Sequence, residues 1–482
     1  MNPLTKDNIK ILLVCLQKDA ERVPPIGLVY IATYLNKKLK IPKENIKVID
    51  ANYFKIEDET SKFNPDIIGI GSMTINYQDA IDYASKIKRK KDIPIVIGGV
   101  HITTLPTSLK KCFNIGVTGE GEETFAELIE LYLKKQKLEP KDLKKIKSIL
   151  YFDKNKLQMT EFRAPIELDN LPLPDFKFAH PEYFKRLEVP AVGDTRISCY
   201  ILSSRGCPYR CVFCSTARFW GRMRLHSPEY TARLIEQGIK EFGADHIKIL
   251  DDLYTISPER VDSIREEMEK KGIFSKIKEM EGTVRANLVT DKLLEAIKKA
   301  KLTIVNFGFE SGSERVLKYL KAGTVSVEMN KKSVLLCKKY CITVYGSLMY
   351  GSPTETIEDM EKTNQFIDFC LKNKVKNVWS FVATPFPATP FWESALQKGT
   401  VSNDMNFKLL DHHIENRPLL LEDNISTQEF KKVFGKGRKK LRKFKINLIK
   451  EFVLRNPAKA AGLFLKEPRY YTSRIIRQVL KQ

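Results

Sequence analysis

Alternating apolar and polar positions divide the chain into two series of strands and helices. In the first 120 residues, short β-branched runs bounded by turn residues alternate with amphipathic helix patterns. This order predicts a parallel, doubly wound α/β sheet, a fold that binds ligands at the carboxyl ends of its strands. The predicted strands are Ile9 to Cys15, Ile46 to Asp50, Ile67 to Ile70, Ile93 to Ile97 and Ile115 to Val117.

A second series begins near Ile197, after a lysine-rich and proline-containing stretch that has the composition of a connector. Six strands with helical patterns between them predict a partial (β/α)6 barrel. We therefore predict a first domain at 8–140, a connector at 141–192, a barrel at 193–420 and a mostly helical extension at 421–482. The barrel strands are Tyr200 to Ser203, His246 to Leu250, Thr283 to Ala286, Thr303 to Phe309, Ile342 to Met349 and Val378 to Ala383.

The net charge of +23 is concentrated in the extension. From Lys431 to the end there are 17 lysines and arginines but only two acids. Residues 431–450 interleave basic and apolar side chains, a pattern that favours a solvated helix face, contact with an anionic membrane surface or tracking of a phosphate backbone. Nothing resembles a nucleic-acid module, so a nucleic-acid partner is disfavoured.

The apolar runs and the cysteines indicate the compartment. No apolar run reaches the roughly 18 residues of a membrane span, and no cleavage site follows the short apolar stretch near the N-terminus. Nine cysteines, three of them within eight residues, suit a metal or redox site in a reducing compartment. We predict a cytoplasmic protein, with peripheral membrane contact through 431–450 as a further hypothesis.

Cys207, Cys211 and Cys214 directly follow the first barrel strand, where barrel enzymes place their chemistry. Three thiolates in a short loop hold an iron–sulfur cluster or zinc. A structural zinc would need a fourth ligand, for example Cys199. On a four-iron cluster, three protein ligands leave one iron open to a substrate or cofactor.

The Cys-x-x-x-Cys-x-x-Cys spacing resembles the signature of the radical S-adenosylmethionine (SAM) superfamily. This resemblance implies a 4Fe–4S cluster whose open iron binds SAM, and an electron donor such as flavodoxin or ferredoxin. One electron then cleaves SAM to a 5′-deoxyadenosyl radical. The resemblance places Phe213 against the adenine and makes Asp251, Asp252, Glu310 and Ser311, at strand ends, candidates for SAM binding.

Several of these residues have simpler explanations. Acids just before a helix cap its free N–H groups, which is the alternative for Asp251, Asp252 and Glu310. Arg205 and Arg210 either shield an anionic cluster or are solvated loop residues. A departure from the family pattern occurs at Ala388, where many members carry glycine.

Leu12 to Cys15 and Pro24 to Ala32 resemble the cobalamin-binding domain that precedes the barrel in one subgroup of this superfamily. The resemblance assigns Ser72 and Thr74 to the cobalamin tail, and Gly98 and Gly99 to a close backbone approach. A dinucleotide site is disfavoured, because the glycines follow the third strand and the acids of 120–123 would repel a pyrophosphate. A sheet that no longer binds cobalamin remains an alternative.

The two resemblances imply a radical SAM methylase. One SAM methylates cobalamin, and a second SAM generates the radical that activates an unreactive carbon for methylation. Loop 17–22 contains no histidine, and we expect His101 to be a polar turn residue and not a cobalt ligand.

Two other functions stay open. The stretch Ser215 to Trp220 is similar to the anaerobic magnesium-protoporphyrin monomethyl ester cyclase, which favours a radical cyclase or oxidoreductase. A cluster-bearing scaffold without turnover is the non-enzymatic alternative. We expect a small-molecule or lipid substrate, and the sequence assigns no catalytic residue.

Overall fold

Seven strands form the sheet of the first domain in a computed structural model that describes residues 3–17, 23–185, 187–189, 194–411, 418–458 and 461. The strand order is β2-β1-β3-β4-β5-β6-β7. Strands β1 to β5 are mutually parallel, which confirms the doubly wound sheet. The strands are β1 (Ile11–Cys15), β2 (Ile46–Asp50), β3 (Ile67–Gly71), β4 (Ile95–Gly98), β5 (Ile115–Val117), β6 (Ile149–Asp153) and β7 (Lys156–Met159).

Helices cover both faces of this sheet, because its central strands are apolar on both sides. Leu12 and Val14 pack in the apolar cluster on one face, and Ile11 and Leu13 pack in the cluster on the other. The helices of this domain are α1 (Ile26–Leu39), α2 (Ile56–Phe63), α3 (Tyr77–Lys90), α4 (Val100–Thr104), α5 (Glu122–Lys135) and α6 (Pro140–Leu143).

Strands β6 and β7 extend the sheet into the segment that the sequence analysis assigned to a connector. They form an antiparallel hairpin that pairs with β5. Lys154 and Asn155 make its tight turn with positive φ angles of 46° and 68°. Both strands are short runs in a lysine-rich stretch and were not predicted, although β6 is buried at Ile149, Leu150 and Tyr151.

The second domain contains a six-stranded sheet of order β10-β13-β14-β15-β16-β17. All neighbouring strands are parallel, which confirms the partial barrel. The strands of this half are β8 (Leu187–Val189), β9 (Asp194–Arg196), β10 (Ser198–Ile201), β11 (Ser204–Arg205), β12 (Arg224–Leu225), β13 (His246–Ile249), β14 (Glu279–Val284), β15 (Leu302–Glu310), β16 (Thr343–Tyr350) and β17 (Asn377–Val382).

Helices on the outside of the barrel begin at residues that satisfy their free N–H groups. The hydroxyls of Ser227 and Ser257 accept hydrogen bonds from the backbone N–H three residues later, and a proline follows each serine. The helices are α7 (Thr216–Trp220), α8 (Pro228–Phe242), α9 (Pro258–Lys270), α10 (Asp291–Lys299), α11 (Glu314–Leu320), α12 (Val327–Lys339), α13 (Ile357–Lys372), α14 (Pro390–Gln397) and α15 (Thr427–Arg455).

The basic extension contains α15, whose first half packs on the barrel. Val433, Phe434 and Leu441 are buried, so part of the apolar face expected to meet a membrane covers protein instead. Lys440 pairs with Asp368 of α13 at 2.5 Å. Among the described residues, no helix combines the length and the apolar composition that a bilayer crossing requires.

Candidate active site

The cysteine loop lies at the carboxyl end of the barrel, between the paired strands β11 and β12. Cys211 is buried, and Cys207 and Cys214 are half-buried. Burial raises the pKa of the Cys207 and Cys214 thiols, and each is raised further by its neighbouring cysteines. The three cysteines therefore lie in one loop, close enough for their charges to act on one another.

Arg285 anchors this loop and was missed by the sequence analysis. It follows β14 and donates a hydrogen bond from Nη1 to Cys211 Sγ at 3.3 Å. Its guanidinium lies 3.8 Å from the ring centre of Tyr209, and Nη2 donates to Thr324 Oγ1 at 2.6 Å. The predicted strand Thr283 to Ala286 included Arg285, whereas β14 ends at Val284, so its position at the functional end of the barrel was not recognised.

The thiols fit an iron–sulfur cluster better than a zinc ion. Across the described part of the chain, no three His, Cys, Asp or Glu side chains are placed to hold a single metal ion. Cys199 packs against Gly238 of α8, and burial raises the pKa of its thiol to about 12, so it is not a fourth ligand. The cysteines of a four-iron cluster bind different iron atoms and need not converge on one point.

Phe213 and Glu310, predicted to contact SAM, are brought together by Lys321. The Lys321 ammonium lies 5.4 Å from the ring centre of Phe213 and 2.7 Å from Glu310 Oε1. Lys321 and Glu310 are both buried, so their charges compensate each other. Ser311 is fully buried, with its hydroxyl 3.2 Å from that of Thr363.

The adjacent acids Asp251 and Asp252 differ in environment. The buried carboxylate of Asp251 accepts hydrogen bonds from the Ser203 backbone N–H (2.7 Å) and from the hydroxyls of Ser203 and Ser204 (2.6 and 2.7 Å). Burial raises the pKa of Asp251 to about 6. Asp252 is exposed, accepts a hydrogen bond from Thr216 at 3.1 Å, and is near enough to raise the pKa of Cys207. Asp252 is thus the acid whose charge acts on Cys207 and Cys214.

The helix-capping alternative for these acids is wrong. Helix α9 begins after Ser257, whose side chain caps it, and α11 begins after Ser313. Glu310 instead ends β15 with a positive φ of 62°. The strand ends, and not the helix N-termini, position the three acids.

Ser72, Thr74, Gly98 and Gly99 meet at the carboxyl edge of the first sheet. A side chain at Gly99 would place its Cβ 2.5 Å from the Ser72 carbonyl oxygen, whereas one at Gly98 would be 3.6 Å from its nearest neighbour. Gly99 is therefore required for the approach of two turns, and Gly98 is not. The Ser72 hydroxyl donates to Asn76 Oδ1 at 3.2 Å, which holds the first turn.

His101 is held in this edge as a buried polar residue. Its Nδ1 lies 3.3 Å from Thr74 Oγ1 and its Nε2 lies 3.0 Å from Ser108 Oγ. Its ring packs between Tyr77 and Phe407, and burial lowers its pKa to about 3. Both ring nitrogens are occupied within the protein, which confirms the expected role as a polar turn residue.

A buried ion network joins the two domains beside the cysteine loop. Arg205 of β11 pairs with Glu120, in the turn between β5 and α5, and at 2.6 Å with Glu122, the first residue of α5. Arg224 of β12 pairs with Glu120 at 3.1 Å and donates to the Ile166 carbonyl at 2.6 Å. The solvated alternative is therefore wrong for Arg205, whereas Arg210 is exposed.

A cavity of about 250 Å³ opens next to this network. Gly119 and Thr103 of the first domain, Phe162 and Arg163 of the intervening segment, and Trp220 of α7 line it. The cavity thus lies between the two domains, but neither the turns at 72–74 and 98–99 nor the three cysteines line it.

Comparisons with known proteins agree with this architecture. The B12 binding domain model matches residues 12–129, and the Radical SAM superfamily model matches residues 201–367. An uncharacterized methyltransferase of Pyrococcus horikoshii is 30% identical over 384 residues, which cover 77% of this chain and 78% of that protein. The chain belongs to the radical SAM superfamily.

Two solved radical SAM structures share the fold. The enzyme OxsB with aqua-cobalamin and SAM bound gives a TM-score of 0.67 at 16% identity, covering 98% of this chain and 75% of that chain. TsrM of Kitasatospora setae with cobalamin and a [4Fe-4S] cluster bound gives 0.63 at 18% identity, covering 88% and 81%. The predicted fold of this radical SAM protein is confirmed.

The matches also confirm the predicted function class. This radical SAM protein is an enzyme of the cobalamin-dependent methyltransferase group. Its cofactors are a 4Fe–4S cluster, SAM and cobalamin. Methyl transfer is favoured over the cyclase alternative.

Proposed function

We propose that this enzyme methylates an unactivated carbon of a small molecule in the space between its two domains. The observation that carries the proposal is the buried ion network of Arg205 with Glu120 and Glu122, which holds the start of the cysteine loop against the first domain. When bound, the cluster and SAM supply a 5′-deoxyadenosyl radical, and cobalamin supplies the methyl group. The protein orients these groups and excludes water from them.

The described contacts support distinct roles for the site residues. Cys207, Cys211 and Cys214 hold the cluster, because all three lie in the loop between β11 and β12 at the carboxyl end of the barrel. Phe213 and Asp252 line the SAM side, next to Cys214 and Cys207. Glu310 and Ser311 belong to the SAM side as well, because Glu310 ends β15 and Ser311 directly follows it at the carboxyl end of the barrel.

Asp251 acts indirectly in this proposal. Its carboxylate is saturated by Ser203 and Ser204, so it fixes the strand end from which the cysteine loop departs. On the first domain, Ser72, Thr74, Gly98 and Gly99 form the edge that receives cobalamin. The missing side chain at Gly99 lets the backbone of Ser72 approach and so fixes the shape of this edge.

The concave side of the barrel sheet supports a polar substrate. Positions that face the outer helices are apolar, but those on the concave side carry Lys248, Glu281 and Asn306. The Asn306 amide donates to Glu281 Oε1 at 3.0 Å, and the Lys248 ammonium lies 3.8 Å from the same oxygen. Tyr345 and Trp379 add half-buried aromatic rings on neighbouring strands. We propose that these side chains bind the polar part of the substrate.

The electron donor and membrane contact belong to the proposal as well. A small donor protein, flavodoxin or ferredoxin, supplies the electron.

Membrane contact is restricted to α15 beyond Leu441, where Leu454 is 81% exposed. Leu454→Asp should weaken binding to anionic liposomes, and unchanged binding would exclude this contact.

Methyl-labelled SAM tests the reaction. The reconstituted enzyme is incubated with the low-molecular-weight fraction of cell extract, a reductant and cobalamin, with the Cys211→Ala variant as control. We expect a labelled small molecule only with the intact cysteines. A product that lost hydrogen or gained oxygen without label would support the cyclase alternative instead.

A further inference from the structure

The ion network between the domains is placed to connect the two cofactor sites. Arg205 lies two residues before Cys207, and Glu122 begins α5 at the edge of the first sheet. The side chains of Arg205 and Glu122 are each only 6% exposed. A buried charge cannot lose its partner without remaining uncompensated, so the two elements must move together.

Further contacts stiffen both ends of this connection. The Arg205 guanidinium lies 5.4 Å from the ring centre of Tyr30 of α1 and 5.5 Å from that of Trp220 of α7. Glu120 Oε2 also accepts a hydrogen bond from the Ile166 backbone N–H at 2.9 Å. The network therefore includes both domains and the segment between them.

The first-domain end of the network reaches the cobalamin edge. Gly119, next to Glu120, donates its backbone N–H to Thr103 Oγ1 at 2.9 Å. Thr103 belongs to α4, which begins directly after Gly99. A ligand that shifts the turn at Gly99 therefore also shifts α4, and through the hydrogen bond from Gly119 to Thr103 it acts on the neighbouring Glu120 and Glu122.

We propose that Arg205 and Glu122 are positioning residues that couple cobalamin binding to SAM binding. This inference rests on the proposed function. With the network intact, occupancy of the first-domain edge fixes the turn between β5 and α5, which holds the start of the cysteine loop. By thermodynamic linkage, each cofactor then raises the affinity for the other by the same factor.

The chain provides a matched control for this network. Arg222, two residues before β12, forms a second ion pair with Glu167 of the segment between the domains. Their charged atoms are 4.0 Å apart, and their side chains are 72% and 77% exposed. Because solvent screens this pair, its loss should leave the domains as they are. Arg222→Gln and Glu122→Gln thus remove one charge each from nearby pairs that differ in burial.

The test measures SAM affinity by calorimetry on the reconstituted full chain with its oxidised cluster, with and without cobalamin. In the wild type and in Arg222→Gln, cobalamin should tighten SAM binding about five-fold or more. In Glu122→Gln this ratio should fall to about one. Arg205→Lys, which keeps the charge but loses the forked contact, should also lower it and serves if Glu122→Gln does not fold.

The outcomes separate this inference from the proposed function. A wild-type chain that binds no cobalamin would overturn the proposed function and the inference with it. Binding of both cofactors with a wild-type ratio of one would overturn the inference alone. An undiminished ratio in both Glu122→Gln and Arg205→Lys would overturn it as well.

Discussion

Gly98 and Gly99 are adjacent in the sequence, but the structure requires a glycine at only one of them. Gly99 has φ 104° and ψ −169°, a conformation accessible almost only to glycine. An added Cβ would lie 2.5 Å from the Ser72 carbonyl oxygen and 3.0 Å from its nitrogen. At Gly98 the nearest atom would be 3.6 Å away, which is an ordinary contact.

We therefore expect Gly99→Ala to be far more damaging than Gly98→Ala. The backbone strain costs about 1–3 kcal/mol, and displacing the Ser72 backbone costs about 1–3 kcal/mol more. Gly99→Ala should thus lower the free energy of unfolding by about 2–6 kcal/mol, whereas Gly98→Ala should change it by less than about 1 kcal/mol. The matched pair isolates the turn contact from the general effect of adding a methyl group.

Urea denaturation followed by circular dichroism measures the two free energies. Cobalamin retention after gel filtration and iron content are measured on the same samples. Gly99→Ala should lose cobalamin and keep its iron, because the cysteine loop belongs to the other domain. Equal destabilisation by the two substitutions would refute the assignment of Gly99 to the close approach.

Three further predictions concern the barrel. Cys211→Ala should abolish the brown colour of the reconstituted cluster and all SAM cleavage, whereas the buried Cys337→Ala should keep both; loss in both variants would show that the ligand assignment is mistaken. Burial raises the pKa of Asp251 from 3.8 to about 6, so the folded state holds this proton more tightly and the free energy of unfolding falls as pH rises between these values. Asp251→Asn should flatten that fall in urea titrations, and an unaltered slope would contradict it. Ala388 has a left-handed φ of 60°, so Ala388→Gly should raise the unfolding free energy by about 1 kcal/mol in the same assay, and a decrease would argue against backbone strain there.

Most of the fold could be predicted from the sequence because its strands are short, buried and β-branched. Strand β2 has the predicted bounds, and β13 differs from its prediction by one residue. Strand β7 was not predicted, because its alternation of Leu157 and Met159 with polar residues spans only four positions. Strand β6 was missed as well, although Ile149, Leu150 and Tyr151 are buried, because it is a short run within a lysine-rich stretch.

The candidate site also contains residues that could be predicted from the sequence and residues that could not. The cysteine spacing is local, so Cys207, Cys211 and Cys214 could be recognised from the sequence alone. Arg285 and Lys321 could not, because each acquires its partner through the tertiary fold: Cys211 for the arginine and Glu310 for the lysine. Long-range pairs of this kind leave no fixed spacing in the chain.

The interdomain contact shows why a local pattern can mislead. The sequence analysis treated the acids of 120–123 as groups that repel a phosphate. In the structure, Glu120 and Glu122 are neutralised by Arg205 and Arg224, which lie about 80 to 100 residues later in the chain. The charge of a turn is therefore set by what packs against it.

The central claim is that one chain uses a radical SAM cluster together with cobalamin. The most direct test measures iron, sulfide and cobalt in the anaerobically reconstituted protein, alongside 5′-deoxyadenosine formed with a reductant. We predict about four iron atoms and one cobalamin per chain, with deoxyadenosine produced. Iron and deoxyadenosine without bound cobalamin would contradict the account.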